Sequence, residues 1–196
     1  MSISRQNIII INGSGGCGKS TFIKKCAELT EANDFGVQLP DNETVNTVEL
    51  STVDWPKAVA QFAGWTGGKT DKDRVFLHDL KMALEAWDNS PNQKVFDQIN
   101  SLKNGELTKS MNFLFFVNIR EPYNISRFIE QNSVATGVPC HTLLVYNNNV
   151  EKITTNDADA SVDKYKYDFY VDNSYDLERL KNSARAFLRE FFWIYA

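Results

Sequence analysis

Apolar residues along this chain fall into short continuous runs separated by amphipathic stretches, the pattern of doubly buried strands alternating with helices. Ile8 to Ile11 is β-branched throughout and too short to span a membrane. Phe113 to Val117 is a second continuous run, Thr44 to Leu50 and His141 to Tyr146 predict two more strands, and Phe169 to Val171 predicts a fifth. Between these runs the spacing becomes helical. From Thr21 to Glu31, the residues Phe22, Cys26 and Leu29 share one side and predict a helix packed back on the first strand. Trp55 to Phe62 predicts a short helix with Pro56 in its first turn. The Gly64-Trp65-Thr66-Gly67-Gly68-Lys69-Thr70 connection reads as flexible, and Asp71 or Asp73 is the expected cap of a longer helix ending near Trp87. Its stripe of Phe76, Leu80, Leu84 and Trp87 reads as core. Further helices are expected over Gln93 to Lys103, closed by Asn104-Gly105, and over Ile125 to Gln131. The last runs from about Tyr175 to Phe192, with Asn173 or Ser174 as the expected N-cap and Asp176 and Glu178 in its first turn. Strands joined by helices predict an α/β fold with a five-stranded parallel sheet and helices on both faces.

One segment adds chemistry to this frame. Gly13-Ser14-Gly15-Gly16-Cys17-Gly18-Lys19-Ser20 fits the G-x-x-x-x-G-K-[ST] pattern of a phosphate-binding P-loop, and it lies between the first strand and the first helix. Its glycines permit backbone conformations that a Cβ forbids and let N–H groups approach phosphate oxygens. A helix beginning near Lys19 adds positive potential, Lys19 reaches the β- and γ-phosphates, and the Ser20 hydroxyl ligates Mg²⁺. Thr21 is a further candidate phosphate contact. The expected fold is therefore the three-layer P-loop NTPase fold, with ATP and Mg²⁺ as cofactors.

Composition bounds the remainder. With 196 residues the chain has room for one α/β domain, and residues 1–196 are read as one unit. A formal net charge of -4 argues against a nucleic-acid polymer as partner. No cationic segment leads into an apolar leader and no run reaches membrane-spanning length, so no membrane is expected and the cytoplasm is the default location. Cys17, Cys26 and Cys140 have neither disulfide nor zinc-ligand spacing. Cys17 has two readings, an oxidisable thiol activated by the helix terminus and Lys19, or a variable loop position. His78 and His141 lack partners at metal-ligand spacing and read as structural or surface residues.

A triphosphate site does not name its acceptor, and the charged residues beyond the strand ends must do so. Arg120 leaves the Phe113 to Val117 strand at that edge, Arg74 lies near the start of the long helix, and Arg127 lies in the helix that follows Arg120. Their planar guanidinium groups suit an acceptor phosphate and the transferred group, and each also reads as a surface ion-pair residue. A hydroxyl acceptor usually requires a carboxylate base, whereas an acceptor phosphate is already anionic. Asp54 has three readings: base, outer Mg²⁺ ligand, or cap of the Trp55 to Phe62 helix.

The chain resembles the P-loop nucleoside monophosphate kinases, especially small phage and bacterial deoxynucleoside monophosphate kinase-like proteins. Gly13 to Thr21 carries the resemblance most specifically. Gly64-Trp65, Lys72-Asp73-Arg74, Phe76 to Lys81, Arg120-Glu121-Pro122, and Asn156 to Asp159 before Tyr167-Asp168-Phe169 add weaker support. The resemblance implies ATP at the loop, a nucleoside monophosphate bound by a helical region over about 55–105, and a lid over about 147–166. The chain departs from adenylate kinase-type enzymes in two respects. The lid region holds only Lys152, Lys164 and Lys166 as cations, and the third strand exits as Asn118-Ile119-Arg120, without the usual Walker-B aspartate. Either Glu121 or Asp54 is read as holding Mg²⁺ through water instead. The preferred reading is transfer of the γ-phosphoryl group of ATP to a nucleoside or deoxynucleoside monophosphate, with Lys19 and Arg120 stabilising charge. The alternatives are a small-metabolite kinase acting on a hydroxyl or on dephospho-coenzyme A, and a nucleotide-binding regulator without rapid transfer.

Overall fold

The computed structural model describes residues 6–39, 43–68, 70–109, 111–150 and 162–195. Its strands are β1 (Gln6–Asn12), β2 (Val45–Ser51), β3 (Asn112–Asn118), β4 (Cys140–Tyr146) and β5 (Phe169–Asp172). Its helices are α1 (Lys19–Glu31), α2 (Asp54–Phe62), α3 (Asp71–Trp87), α4 (Ser90–Asn104), α5 (Pro122–Ala135) and α6 (Leu177–Tyr195), with a 3₁₀ turn at Val162–Lys164.

All five strands run parallel in the order β2-β3-β1-β4-β5. Ile8, Ile9, Ile10 and Ile11 are fully buried because β1 is central and covered on both faces. Their pleat divides the core in two. Ile9 and Ile11 join Leu114, Phe116, Leu143 and Val145 beneath residues of α1 and α6, whereas Ile8 and Ile10 join Phe115 and Val117 beneath α4 and α5. Phe22, Cys26 and Leu29 of α1 pack on the first of these faces, as their spacing requires. The Phe22 ring meets Phe116 and Phe187 edge-on, with centroids 6.4 and 5.7 Å apart.

Several local expectations are corrected. The Phe76–Trp87 stripe is not core: Phe76 is 42% and Trp87 81% exposed, and the buried residues of α3 are Lys81 and Glu85. This helix packs on α2 and α4, beyond the apolar sheet faces. It buries Lys81 and Glu85 as a pair, and Lys81 also meets Glu121. Neither expected aspartate caps α3. Thr70 does, accepting from the Asp73 N–H, while the Asp73 carboxylate accepts from the Thr70 N–H in a capping box. Trp65 Nε1 also donates to Asp73 at 2.8 Å, tying the glycine-rich connection to the helix it introduces. At α6 the cap is Asp176, whose carboxylate accepts from the Arg179 N–H at 2.8 Å, because Asn173 and Ser174 are engaged with Cys17 and Asp172. α4 and α5 extend beyond their expected ranges, with Pro91 and Pro122 in their first turns.

No helix among the described residues is long and apolar enough to cross a membrane. The region read as a lid falls mainly on residues 151–161, outside the described residues, as does Asn156 to Asp159.

Replacing Phe22 with alanine empties a fully buried ring site and is expected to cost about 3–5 kcal/mol, whereas Trp87→Ala should change stability by less than about 0.5 kcal/mol. Denaturant midpoints of the two variants check both values. Equal losses would return the α3 stripe to the core.

Candidate functional site

The loop from Gly13 to Gly18 begins where buried β1 ends, and its shape is fixed from three sides. Asn12, fully buried, accepts the Gly13 N–H on Oδ1 at 2.7 Å and donates from Nδ2 to the Arg120 carbonyl and the Tyr167 hydroxyl, each at 2.7 Å. Tyr167 in turn donates to the Val162 carbonyl at 2.9 Å. Burial raises the pKa of this phenol, outweighing the opposing hydrogen bond from Asn12, so the hydroxyl stays protonated. From the β5 exit, Asn173 Nδ2 donates to the Cys17 carbonyl at 2.7 Å.

Two glycines are required by this geometry. Gly13 has φ +148°, and a Cβ there would meet the Val145 carbonyl oxygen at 2.1 Å. Gly18 has φ +93°, and a Cβ would meet Asn173 Nδ2 at 2.1 Å. Gly18 then opens α1 in a left-handed conformation. Lys19 Nζ donates to the carbonyls of Gly13 at 2.6 Å and Ser14 at 3.1 Å, so the ammonium lies across the loop. Helix terminus, glycine loop and ammonium are thereby brought together, an arrangement suited to anions. Ser20 and Thr21 are exposed on the first turn of α1.

Cys17 is buried in the α1 face of the core, the placement of a packed loop residue more than of an accessible thiol. Burial raises Cys26 well above the ordinary thiol value, and burial with the nearby Asp168 charge pushes Cys140 up to about 12. His141 packs edge-on to Phe191 at 5.3 Å, and burial lowers its pKa against the opposing Asp168 charge.

The strand order reverses between β1 and β3, since the connections from these two neighbours lead toward opposite edges of the sheet. Ligands in such sheets bind beyond the strand ends at this switch point. The loop follows β1, and exposed Arg120 follows β3. Asn12 joins the two. Arg74 is exposed on the first turn of α3. Arg127 is directed elsewhere: its guanidinium donates to the Glu85 carbonyl at 3.4 Å and lines a separate hollow of about 840 Å³ between α4 and α5. Asp54 is the first residue of α2, whose N-cap is Val53, so the cap reading is corrected; its carboxylate lies 3.5 Å from Lys57. Another hollow, of about 520 Å³, opens beside the loop and is lined by Ser14, Val145, Asn148, Val150, Val162 and Tyr170.

A residue that the motif did not single out enters the site through the sheet. Glu49 of β2 accepts from Ser20 Oγ at 3.1 Å and from Asn118 Nδ2 at 2.9 Å, both on Oε1. The available signal was a lone glutamate near the end of a strand adjoining β3. Ser20 and Glu49 together present oxygen donors, the set that suits a hard cation such as Mg²⁺.

Glu121 belongs to a different cluster. Lys81 Nζ contacts Glu121 at 2.9 Å and Glu85 at 3.6 Å, and Asn124 Nδ2 donates to Glu121 at 3.2 Å. Burial alone would raise the Glu121 carboxyl, but the charge and hydrogen bond of Lys81, helped by Asn124, hold its pKa below the usual value. The cluster fixes α3 against the start of α5, immediately after Arg120.

No protein-family model and no curated protein matches the sequence. Solved structures do resemble the fold. A kinase candidate from Chloroflexus aurantiacus matches over 100% of both chains with a TM-score of 0.55 at 10% identity. The tunicamycin resistance protein of Deinococcus radiodurans matches over 94% of this chain and 96% of that one, with a TM-score of 0.50 at 13% identity. At such identities the shared property is architecture. The chain shares with them a three-layer α/β P-loop fold, a five-stranded parallel sheet between two helical layers.

Gly13→Ala is expected to lose at least about 1–3 kcal/mol, the scale of a strained backbone conformation, as a lowered melting temperature; an unchanged value would contradict the Val145 contact. Lys81→Met should cost about 3–5 kcal/mol near neutral pH, because it leaves buried carboxylates without their cation. The Glu121 pKa is lowered in the folded state, so its contribution is present above the ordinary glutamate range and is lost as pH falls through the folded value. The stability gap between wild type and Lys81→Met should therefore narrow between pH 7 and about pH 3, as measured by urea unfolding; a constant gap would remove the ion pair from the account.

Proposed function

We propose that this protein is a phosphotransferase of the P-loop kinase kind that transfers the γ-phosphoryl group of ATP to a nucleoside or deoxynucleoside monophosphate. The observation that carries this reading is the Asn12 side chain, which holds Gly13 of the loop and the Arg120 carbonyl within one hydrogen-bonded unit. Donor and acceptor phosphates are thereby addressed from adjoining strand ends. Residues 1–196 act as one kinase domain, with 55–105 forming the acceptor side.

In this mechanism the loop amides and Lys19 hold the β- and γ-phosphates, while the 520 Å³ hollow beside Ser14 receives the ATP base. Ser20 would hold Mg²⁺, which when bound would supply charge neutralisation to the polyphosphate. An acceptor phosphate oxygen attacks the γ-phosphorus, the bond to the β–γ bridging oxygen breaks, and ADP leaves. Arg120 neutralises the acceptor and the group in flight, a task for which no proton need be removed. Arg74 supplies further positive charge from α3. Arg127 supports the acceptor side through its bond to the last turns of α3. The Asp54 carboxylate faces Lys57, and the reaction is assigned no carboxylate base.

ADP release should rise when one member of a nucleoside monophosphate panel is added to ATP, Mg²⁺ and the purified protein. Lys19→Ala should lower turnover by about 10²–10³-fold with an unchanged melting temperature, and Arg120→Ala should lower turnover more than ATP affinity. A panel without any acceptor-dependent release would overturn the reading.

A further inference from the structure

We infer that Glu49 supplies the carboxylate that supports Mg²⁺ in this protein, in place of the aspartate that the β3 exit lacks; this rests on the loop being a triphosphate site. The residue at the end of β3 is Asn118, a neutral amide unable to act as an anionic metal support. Its Nδ2 donates to Glu49 Oε1 at 2.9 Å and to the Leu50 carbonyl at 3.3 Å. The amide thus fixes the orientation of a carboxylate from the neighbouring strand. The same oxygen accepts the Ser20 hydroxyl at 3.1 Å, placing the carboxylate against the P-loop position that ligates the metal.

Sheet register accounts for this juxtaposition. β2 pairs in parallel with β3, and Asn118 lies opposite Ser51, two residues beyond Glu49. Ser20 approaches from α1 on the same side. Glu49 makes no ion pair among the described residues; its partners are a hydroxyl and an amide. Asp54 and Glu121, the other carboxylates near these strand ends, face Lys57 and Lys81. A carboxylate bound only by neutral donors retains its full charge for a cation, whereas one facing an ammonium is already compensated. The arrangement moves the anionic support one strand outward.

The test measures metal binding separately from turnover. Wild type, Glu49→Gln and Asp54→Asn are titrated with a non-hydrolysable ATP analogue by calorimetry, in EDTA and with Mn²⁺, and bound Mn²⁺ is followed by electron paramagnetic resonance. Glu49→Gln should bind Mn²⁺ in the analogue complex about 10–100-fold more weakly, with its melting temperature and metal-free analogue affinity unchanged, while Asp54→Asn stays near wild type. Equal Mn²⁺ affinity in Glu49→Gln and wild type overturns the inference, as does a loss confined to Asp54→Asn. Loss of metal-free affinity in Glu49→Gln also overturns it, since the residue would then shape the loop. Failure of wild type to bind the analogue under either condition overturns the triphosphate reading itself.

Discussion

The structure depends on one buried amide. Asn12 ends the central strand in a place where every backbone group must find a partner inside the protein, because water is excluded. Its carbonyl oxygen takes the Gly13 N–H, and its amide takes a carbonyl from the β3 exit and a phenol from the β5 side. A single side chain therefore fixes the start of the glycine loop, the backbone of Arg120, and Tyr167. An aspartate would lack the donors, and a leucine would strand the Gly13 N–H at a cost of about 1–3 kcal/mol and untie the loop from the β3 exit. The loop is preorganised as a consequence of core hydrogen bonding, before any anion arrives.

Charge performs a similar task at α3, whose apolar stripe is left largely uncovered. Lys81 and Glu85 are more deeply buried than the aromatic residues of the same helix, and Lys81 reaches across to Glu121. Such pairs contribute little net stability relative to apolar packing, but they penalise any arrangement that leaves one partner alone. The helix is therefore held in one orientation by the cost of alternatives. Since Glu121 follows Arg120 directly, that orientation also bears on where the arginine leaves the sheet.

The architecture was legible in the sequence because β1 and β3 are doubly buried and read as unbroken apolar runs, and the motif between β1 and α1 identified the loop. The misreadings share a cause. The Phe76–Trp87 stripe has the spacing of a core face, but periodicity records only that apolar residues align, not that anything covers them. The caps of α3 and α6 shifted to Thr70 and Asp176 because several capping residues stood adjacent, and tertiary demands on Asn173 and Ser174 decided between them. Asp54 looked like a cap because it precedes a helix, yet it is already the first helical residue.

Glu49 was illegible for a different reason. Ser20 is 29 residues before it and Asn118 is 69 after it, and only the β2–β3 register brings the three together. A linear motif describes what consecutive residues do around a ligand; it cannot register a carboxylate delivered by hydrogen bonding across a sheet. The asparagine at the β3 exit looks like a loss of function when read along the chain. Read across the strands, it is a donor that orients the neighbouring charge, and the same electrostatic requirement at the loop is met from β2. Orientation by a neutral donor has a further physical consequence, since the carboxylate remains uncompensated at the one point where the loop presents a hydroxyl.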